Sequence, residues 1–413
     1  MNKFELLAPA GDLEKLKIAV LYGADAVFIG GLKFSLRSRA SNFTIDDIKE
    51  GCSFAHLHGA KIHVTCNIVM HEKDIDGIVE YLKELEEAGV DCIIASSISI
   101  LKLVKEHTKM EAHVSTQDST LNQEAIKVFE SIGVDRVVLA RELSLDEIEI
   151  VRNSTKTDLE VFIHGGMCVS YSGRCMLSNN MTNRDANRGG CAHSCRWNYD
   201  LYQDGMKINP SDDYFAMSSK DLCAIKAIPT LMKLGINSFK IEGRMKSLHY
   251  IASIVGTYRK LIDDINKGID IDFSVYEQMI LKAENRLTST GFLFGQPTIN
   301  EQLYDLNLTL PSKDFVGIVL DYNKETKCVT IEQRNYFLPN TNLEVFGPNH
   351  NEIIKIGEIF DKDEISLDAA RHPRQIVHIY SDYEFEVNDL LRLAWGYYEG
   401  VNWWSWNRSK SNN

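Results

Sequence analysis

One short ending recurs along the first 240 residues of this chain. Gly23-Ala24-Asp25, Gly89-Val90-Asp91, Gly133-Val134-Asp135 and Gly235-Ile236-Asn237 each separate an amphipathic stretch from an apolar run. A glycine there suits the left-handed cap of a helix, and the residues after it open a strand. The repeat predicts one helix–strand unit used many times over. Apolar, β-rich runs at 4–8, 26–30, 61–65, 92–95, 112–116, 136–140, 159–164 and 238–242 fit parallel strands covered on one face by helices. Between them, stretches such as DLEKLKIAVLYGA and TLNQEAIKVFESIGV place apolar residues every three or four positions. Eight strands in strict alternation with helices point to an α/β, TIM-type barrel rather than an open sheet.

The seventh unit breaks the pattern. After the run at 159–164 comes a long insertion carrying Cys168, Cys175, Cys191 and Cys195, spaced C-x6-C-x15-C-x3-C, then a hairpin-like NYDLYQDGMKI. An insertion after a barrel strand falls at the C-terminal face, where barrel active sites lie. Four soft sulfurs so concentrated suit iron–sulfur or zinc. The six-residue gap fits a zinc knuckle poorly. No C-x3-C-x2-C array is present, since Asn198 stands where its third cysteine would be. The N-terminus has no signal-like apolar run, so the chain is expected in the cytoplasm with its thiols reduced. No apolar stretch approaches the ~20 residues that span a bilayer, so no membrane partner is expected.

Residues 1–270 are read as the barrel, 271–310 as a helical connector, and 311–413 as a small C-terminal antiparallel β-barrel domain of short alternating strands. The tail from 395 holds four of the five tryptophans, arranged either to cap the fold or to stack on bases. A formal charge of −13 argues against indiscriminate nucleic-acid binding. The cysteine segment departs from it: residues 168–200 carry four arginines (Arg174, Arg184, Arg188, Arg196) against Asp185 and Asp200.

Positions just past each strand would share one pocket. They hold Asn67, Gln117, Arg141, Glu142, His164, Glu242 and Arg244, with Arg37 and Arg39 after the second strand. His164, Glu242 and Gln117 are candidates for the reacting centre. Arg39, Asn67, Arg141, Arg188 and Arg244 are candidates for holding an anionic carboxylate or phosphate. Two plainer readings stay open: Arg141–Glu142 and Glu242–Arg244 as solvated ion pairs, and His164 as a buried strand-end histidine. The G-x-S-x-G, H-E-x-x-H, Walker and G-x-G-x-x-G signatures are missing.

The segments ELLAPAGDLEKLKIAVLYGADAVFIGG, EVFIHGGMCVSYSGRCMLSN, NRDANRGGCAHSCRWNY and SSKDLCAIKAIPTLMKLGINSFKIEGRMKS resemble the collagenase-like peptidase family U32, in particular its tRNA-hydroxylating branch. The resemblance implies a 4Fe–4S cluster on Cys168, Cys175, Cys191 and Cys195, with Cys223 as a substitute ligand. It also implies 5-hydroxylation of wobble uridine in tRNA, prephenate as co-substrate, and a paralogous U32 subunit as a partner. Prephenate is a dicarboxylate, so Arg39, Arg141, Arg188 and Arg244 would be its partners. Peptide hydrolysis, or hydroxylation of rRNA or a quinone precursor, are the alternatives the family leaves open.

Overall fold

The computed structural model describes residues 4–35, 42–210, 214–283, 286–303 and 314–394. Eight parallel strands close into a barrel: β1 (Glu5–Pro9), β2 (Ala26–Gly30), β3 (Lys61–Cys66), β4 (Cys92–Ala95), β5 (Glu111–Val114), β6 (Arg136–Val138), β7 (Asp158–Gly165) and β8 (Ser238–Ile241). Each pairs with the next, and β8 completes the ring by pairing with β1 through Glu5↔Ser238. The strands are those expected from the apolar runs, shifted by a residue or two at their ends. β2 and β4 are buried at every position, as strands between an interior and a helical layer must be.

The recurring ending does more than stop helices. Its four glycines are left-handed, with φ of 103°, 93°, 77° and 74°. The acidic or amide residue two places on then caps a neighbouring strand. Asp25 accepts from Leu6 N (2.9 Å), Asp91 from Ile62 N (2.7 Å), Asp135 from Ala112 N (2.8 Å) and Asn237 from Leu159 N (3.0 Å). Each side chain thus satisfies the backbone donor of the second residue in the strand beside its own. Asn237→Ala is expected to cost about 1–3 kcal/mol, because it orphans Leu159 N, measured by urea denaturation.

The N-terminal half of the barrel interior is polar. Arg136 on β6 reaches Glu5 on β1, a strand that is not its neighbour, so the pair crosses the interior. Arg136 Nη1 also lies 3.2 Å from Glu160, and Lys240 Nζ lies 2.7 Å from the other oxygen of Glu160. Burial alone would raise the Glu160 carboxyl, but Lys240 and Arg136 outweigh it and hold it below the usual range.

The segment 271–310, expected as a connector, belongs to the barrel unit, which runs Met1–Leu310. Its helix Phe273–Leu281 docks on helix Leu248–Asn266 through Tyr276 Oη donating to Asp264 at 2.6 Å. Its strand Thr288–Ser289 joins the barrel sheet beside Asp221–Cys223, which itself runs antiparallel to β7.

Among its described residues, the second unit, Pro311–Asn413, holds an eight-stranded antiparallel sheet. Val345, Val319, Ile331, Val377 and Ile359, drawn from strands along most of the sheet's width, share one core, so the sheet wraps around it. A bidentate pair, Arg392 with Glu344 at 2.8 and 2.7 Å, is buried in that sheet. The tryptophan-rich tail lies outside the described residues. No helix among the described residues is long and apolar enough to cross a membrane.

Candidate active site at the barrel mouth

The cysteine insertion folds back over the C-terminal ends of β3 to β7. Ser119 Oγ donates to Ser172 O (2.8 Å), and Val69 N to Asn187 O (3.0 Å), which stitches it to the loops after β5 and β3. Gly173, at φ 77°, sits so close to Gln117 that a Cβ there would meet Gln117 O at 2.4 Å. Only glycine permits that approach. Further along, the expected hairpin pairs Tyr202–Gln203 with Met206–Lys207. Its turn residues Asp204 and Gly205, at φ 50° and 79°, are both left-handed, as a two-residue turn of this hand requires.

Cys168, Cys175, Cys191 and Cys195 converge. Burial pushes the Cys195 thiol up; Arg196 opposes this, while the thiols of Cys168, Cys191 and Cys175 are all near enough to push it further. Burial likewise raises Cys168, with Arg141 and Arg196 pulling it down and Cys191 and Glu242 pushing it up. Cys168 and Cys191 are nonetheless solvent-accessible. A thiol crowded by protein yet open to solvent lines a concavity. Cys223 stands apart, pairing with His164 across the sheet, its Sγ 3.9 Å from Tyr258 Oη. Four thiolates in such company repel one another, and a polynuclear cationic core with one metal per sulfur removes that repulsion. The donor set therefore fits an iron–sulfur cluster.

Beside the cysteines lies a cleft of about 310 Å³, lined by Asn67, Ser96, Gln117, Asp118, Arg174 and Asn187 among others. Asn187 Nδ2 donates to Cys175 O at 3.2 Å, which joins the cleft wall to the cysteine segment. Asn67 and Gln117 are thus where the sequence put them. Arg141 Nη1 donates to Gly166 O (2.6 Å), and its guanidinium lies 3.9 Å over the Phe162 ring, close by Cys168. Glu242 is near Cys168 as well, its backbone N bonded to His164 O.

Other candidates are held elsewhere. His164 is 1% exposed, its Nδ1 3.2 Å from Tyr258 Oη, so it has the place of a buried strand-end histidine rather than a cleft residue. Arg188 is clamped by Asp74 at 2.6 and 3.1 Å, a pair that holds the Asp74 carboxyl down at about 2. That pair staples the insertion to the loop after β3. Arg244, 5% exposed, donates to Ser35 (3.2 Å) and Asn42 (3.0 Å) and ties together the ends of β8, β2 and β3. Arg39 falls outside the described residues.

Asp118, Arg174 and Arg196 were not singled out from the sequence as site residues. Arg174 and Arg196 make no ion pair among the described residues. Burial pushes the Asp118 carboxyl up to about 7, with Arg174 opposing, and its Oδ2 has no partner. Because the folded state holds this proton more tightly than the unfolded one, stability falls as pH rises from about 4 to about 7. Asp118→Asn is expected to remove that part of the slope, so the variant gains on wild type in thermal scans at pH 8 relative to pH 5. An unchanged slope would mean that Asp118 is ionised throughout.

The family model described as Peptidase family U32 matches residues 11–303, and that of the Peptidase family U32 C-terminal domain matches residues 311–392. The chain is 48% identical to "tRNA hydroxylation protein P1" of Bacillus subtilis (strain 168), over 95% of each chain. It is 34% identical to "tRNA hydroxylation protein P" of Escherichia coli (strain K12), over 85% of this chain and 88% of that one. It is 39% identical to "23S rRNA 5-hydroxycytidine C2501 synthase" of the same organism, over 64% of this chain and 40% of that one. The two family models thus match nearly the whole chain, barrel unit and β-domain alike, and the chain belongs to peptidase family U32.

Proposed function

We propose that this protein is an RNA hydroxylase that installs the 5-hydroxyl on wobble uridine of tRNA, with prephenate as co-substrate. The observation that carries the proposal is the juxtaposition of the cysteine quartet with a polar cleft flanked by arginines. Relatives named for hydroxylation of tRNA and of rRNA support the reaction class. Cys168, Cys175, Cys191 and Cys195 would hold a 4Fe–4S cluster, which supplies redox or Lewis-acid chemistry when bound.

The protein's own groups have definable work. A cleft of about 310 Å³ suits a single base or a small dicarboxylate. Arg174 in its wall, with Arg141 and Arg196 beside Cys168, offers forked donors to carboxylates. The amides of Asn67, Gln117 and Asn187 each present a donor and an acceptor, as the edge of a pyrimidine demands. Asp118 is the acid in the lining whose proton is exchangeable near neutral pH.

The test is mass spectrometry of tRNA nucleosides from a deletion strain complemented with wild type or Arg141→Met. Restored 5-hydroxyuridine, or a derivative of it, with wild type and a deficit of about tenfold or more with Arg141→Met are expected, since a lost charge-assisted bond costs roughly 1.5–3 kcal/mol. Unchanged tRNA with altered rRNA or quinone would redirect the substrate. Peptide hydrolysis by cluster-free protein would overturn the reaction class.

A further inference from the structure

Deep in the barrel, at the end remote from the cysteines, His63 on β3, Cys92 on β4 and His113 on β5 come together. Their register, His63↔Cys92 and Cys92↔Glu111, sets all three on one face of neighbouring strands, since His113 lies two residues past Glu111. One donor atom from each lies within 4.8 Å of the others. All three are sealed from solvent at 0%, 0% and 1% exposure. The imidazole rings meet edge to face, 5.2 Å between centroids.

The hydrogen bonding there is incomplete in a telling way. His63 Nδ1, His63 Nε2 and His113 Nδ1 are buried without partners. Leaving three such atoms empty costs free energy at each, so the site calls for an occupant. His113 is already oriented for one: its Nε2 lies 3.0 Å from the Glu111 carboxylate. With the ring proton on Nε2, the unpartnered Nδ1 keeps its lone pair, in the carboxylate–histidine arrangement that aims metal ligands. Two imidazoles and a thiol form a soft donor set. The surrounding charges, carboxylates of Glu5, Glu111 and Glu160 against Lys61, Arg136 and Lys240, are balanced. They leave room for a thiolate with its cation.

We propose that His63, Cys92 and His113 bind a soft d10 cation, zinc or cuprous copper, as a structural centre in the barrel core. The centre does not depend on the hydroxylase reading and is separate from the cysteine quartet. Being enclosed, it fills as the chain folds and empties when the chain unfolds.

The full chain, grown with zinc or copper in the medium and purified without chelator, is analysed for both metals and for iron. Two variants accompany it: Cys92→Ala, and the double variant Cys168→Ser with Cys191→Ser. About one zinc or copper per chain is expected in wild type and in the quartet variant, surviving dialysis against EDTA and released on denaturation. Cys92→Ala should lose that ion and keep its iron. A wild-type chain with neither metal would overturn the proposal. So would an ion that persists in Cys92→Ala or vanishes with the quartet. Should Cys92→Ala fail to fold, cobalt-grown quartet variant decides. A thiolate-to-cobalt charge-transfer band supports the site, and its absence overturns it.

Discussion

Cys175→Ser is expected to empty the barrel mouth of iron and end RNA hydroxylation while leaving the barrel folded. Anaerobic wild-type protein should carry about four irons per chain, as ligation of a cubane by four cysteines implies. The variant should carry almost none, and complementation with it should restore no hydroxylated wobble uridine. The reason lies in how the insertion is held. Gly173 against Gln117, the Arg188–Asp74 pair and the Asn187 bond to Cys175 O fix its backbone without using any thiol. Removing one sulfur therefore takes away a ligand and little else. Melting temperature, read beside iron content, separates the two effects: a loss of iron with unchanged melting marks a lost ligand. Full iron and full activity in Cys175→Ser would instead remove Cys175 from the ligand set. In that case Cys223, its Sγ 3.9 Å from Tyr258 Oη, is the substitute ligand to test next.

Lys240→Met should destabilise the barrel by about 3–5 kcal/mol, the usual result of stripping one partner from a buried ion pair. Glu160 is completely buried, and the variant leaves it with Arg136, which it shares with Glu5. The pH dependence gives the sign. Glu160 is held below its ordinary range in the folded wild type, so its stabilising contribution is present above about 4.5 and fades as pH falls through the folded value. In the variant Glu160 titrates higher, so the deficit is largest at neutral pH and shrinks towards pH 4. Adding Glu160→Gln to Lys240→Met should recover much of the loss, because no carboxylate then remains unpaired. Urea denaturation at pH 7 and pH 4.5 measures all three. A deficit that is the same at both values would place the effect in packing of the Lys240 stem rather than in charge.

The parts of this protein legible in its sequence were those with a period or a local signature. Alternation of apolar runs with amphipathic stretches located all eight barrel strands. The Gly-x-Asp ending, with Asn in place of Asp at 237, marked four helix stops, because both depend on residues adjacent in the chain. The cysteine spacing and the position of the insertion after the seventh strand pointed to the barrel mouth, and Asn67 and Gln117 line the cleft there because strand ends of a barrel share one mouth.

What the tertiary structure decided was which polar groups were already taken. Arg188 and Arg244 look in sequence like any rim arginine, but Asp74 lies over a hundred residues from the first, and Ser35 and Asn42 some two hundred from the second. His164 gained a tyrosine ninety-four residues away. Asp118 acquired its raised carboxyl, and His63, Cys92 and His113 their juxtaposition, only when the strands closed around them. Burial and pairing are properties of contacts between segments far apart in the chain, and no local pattern records them.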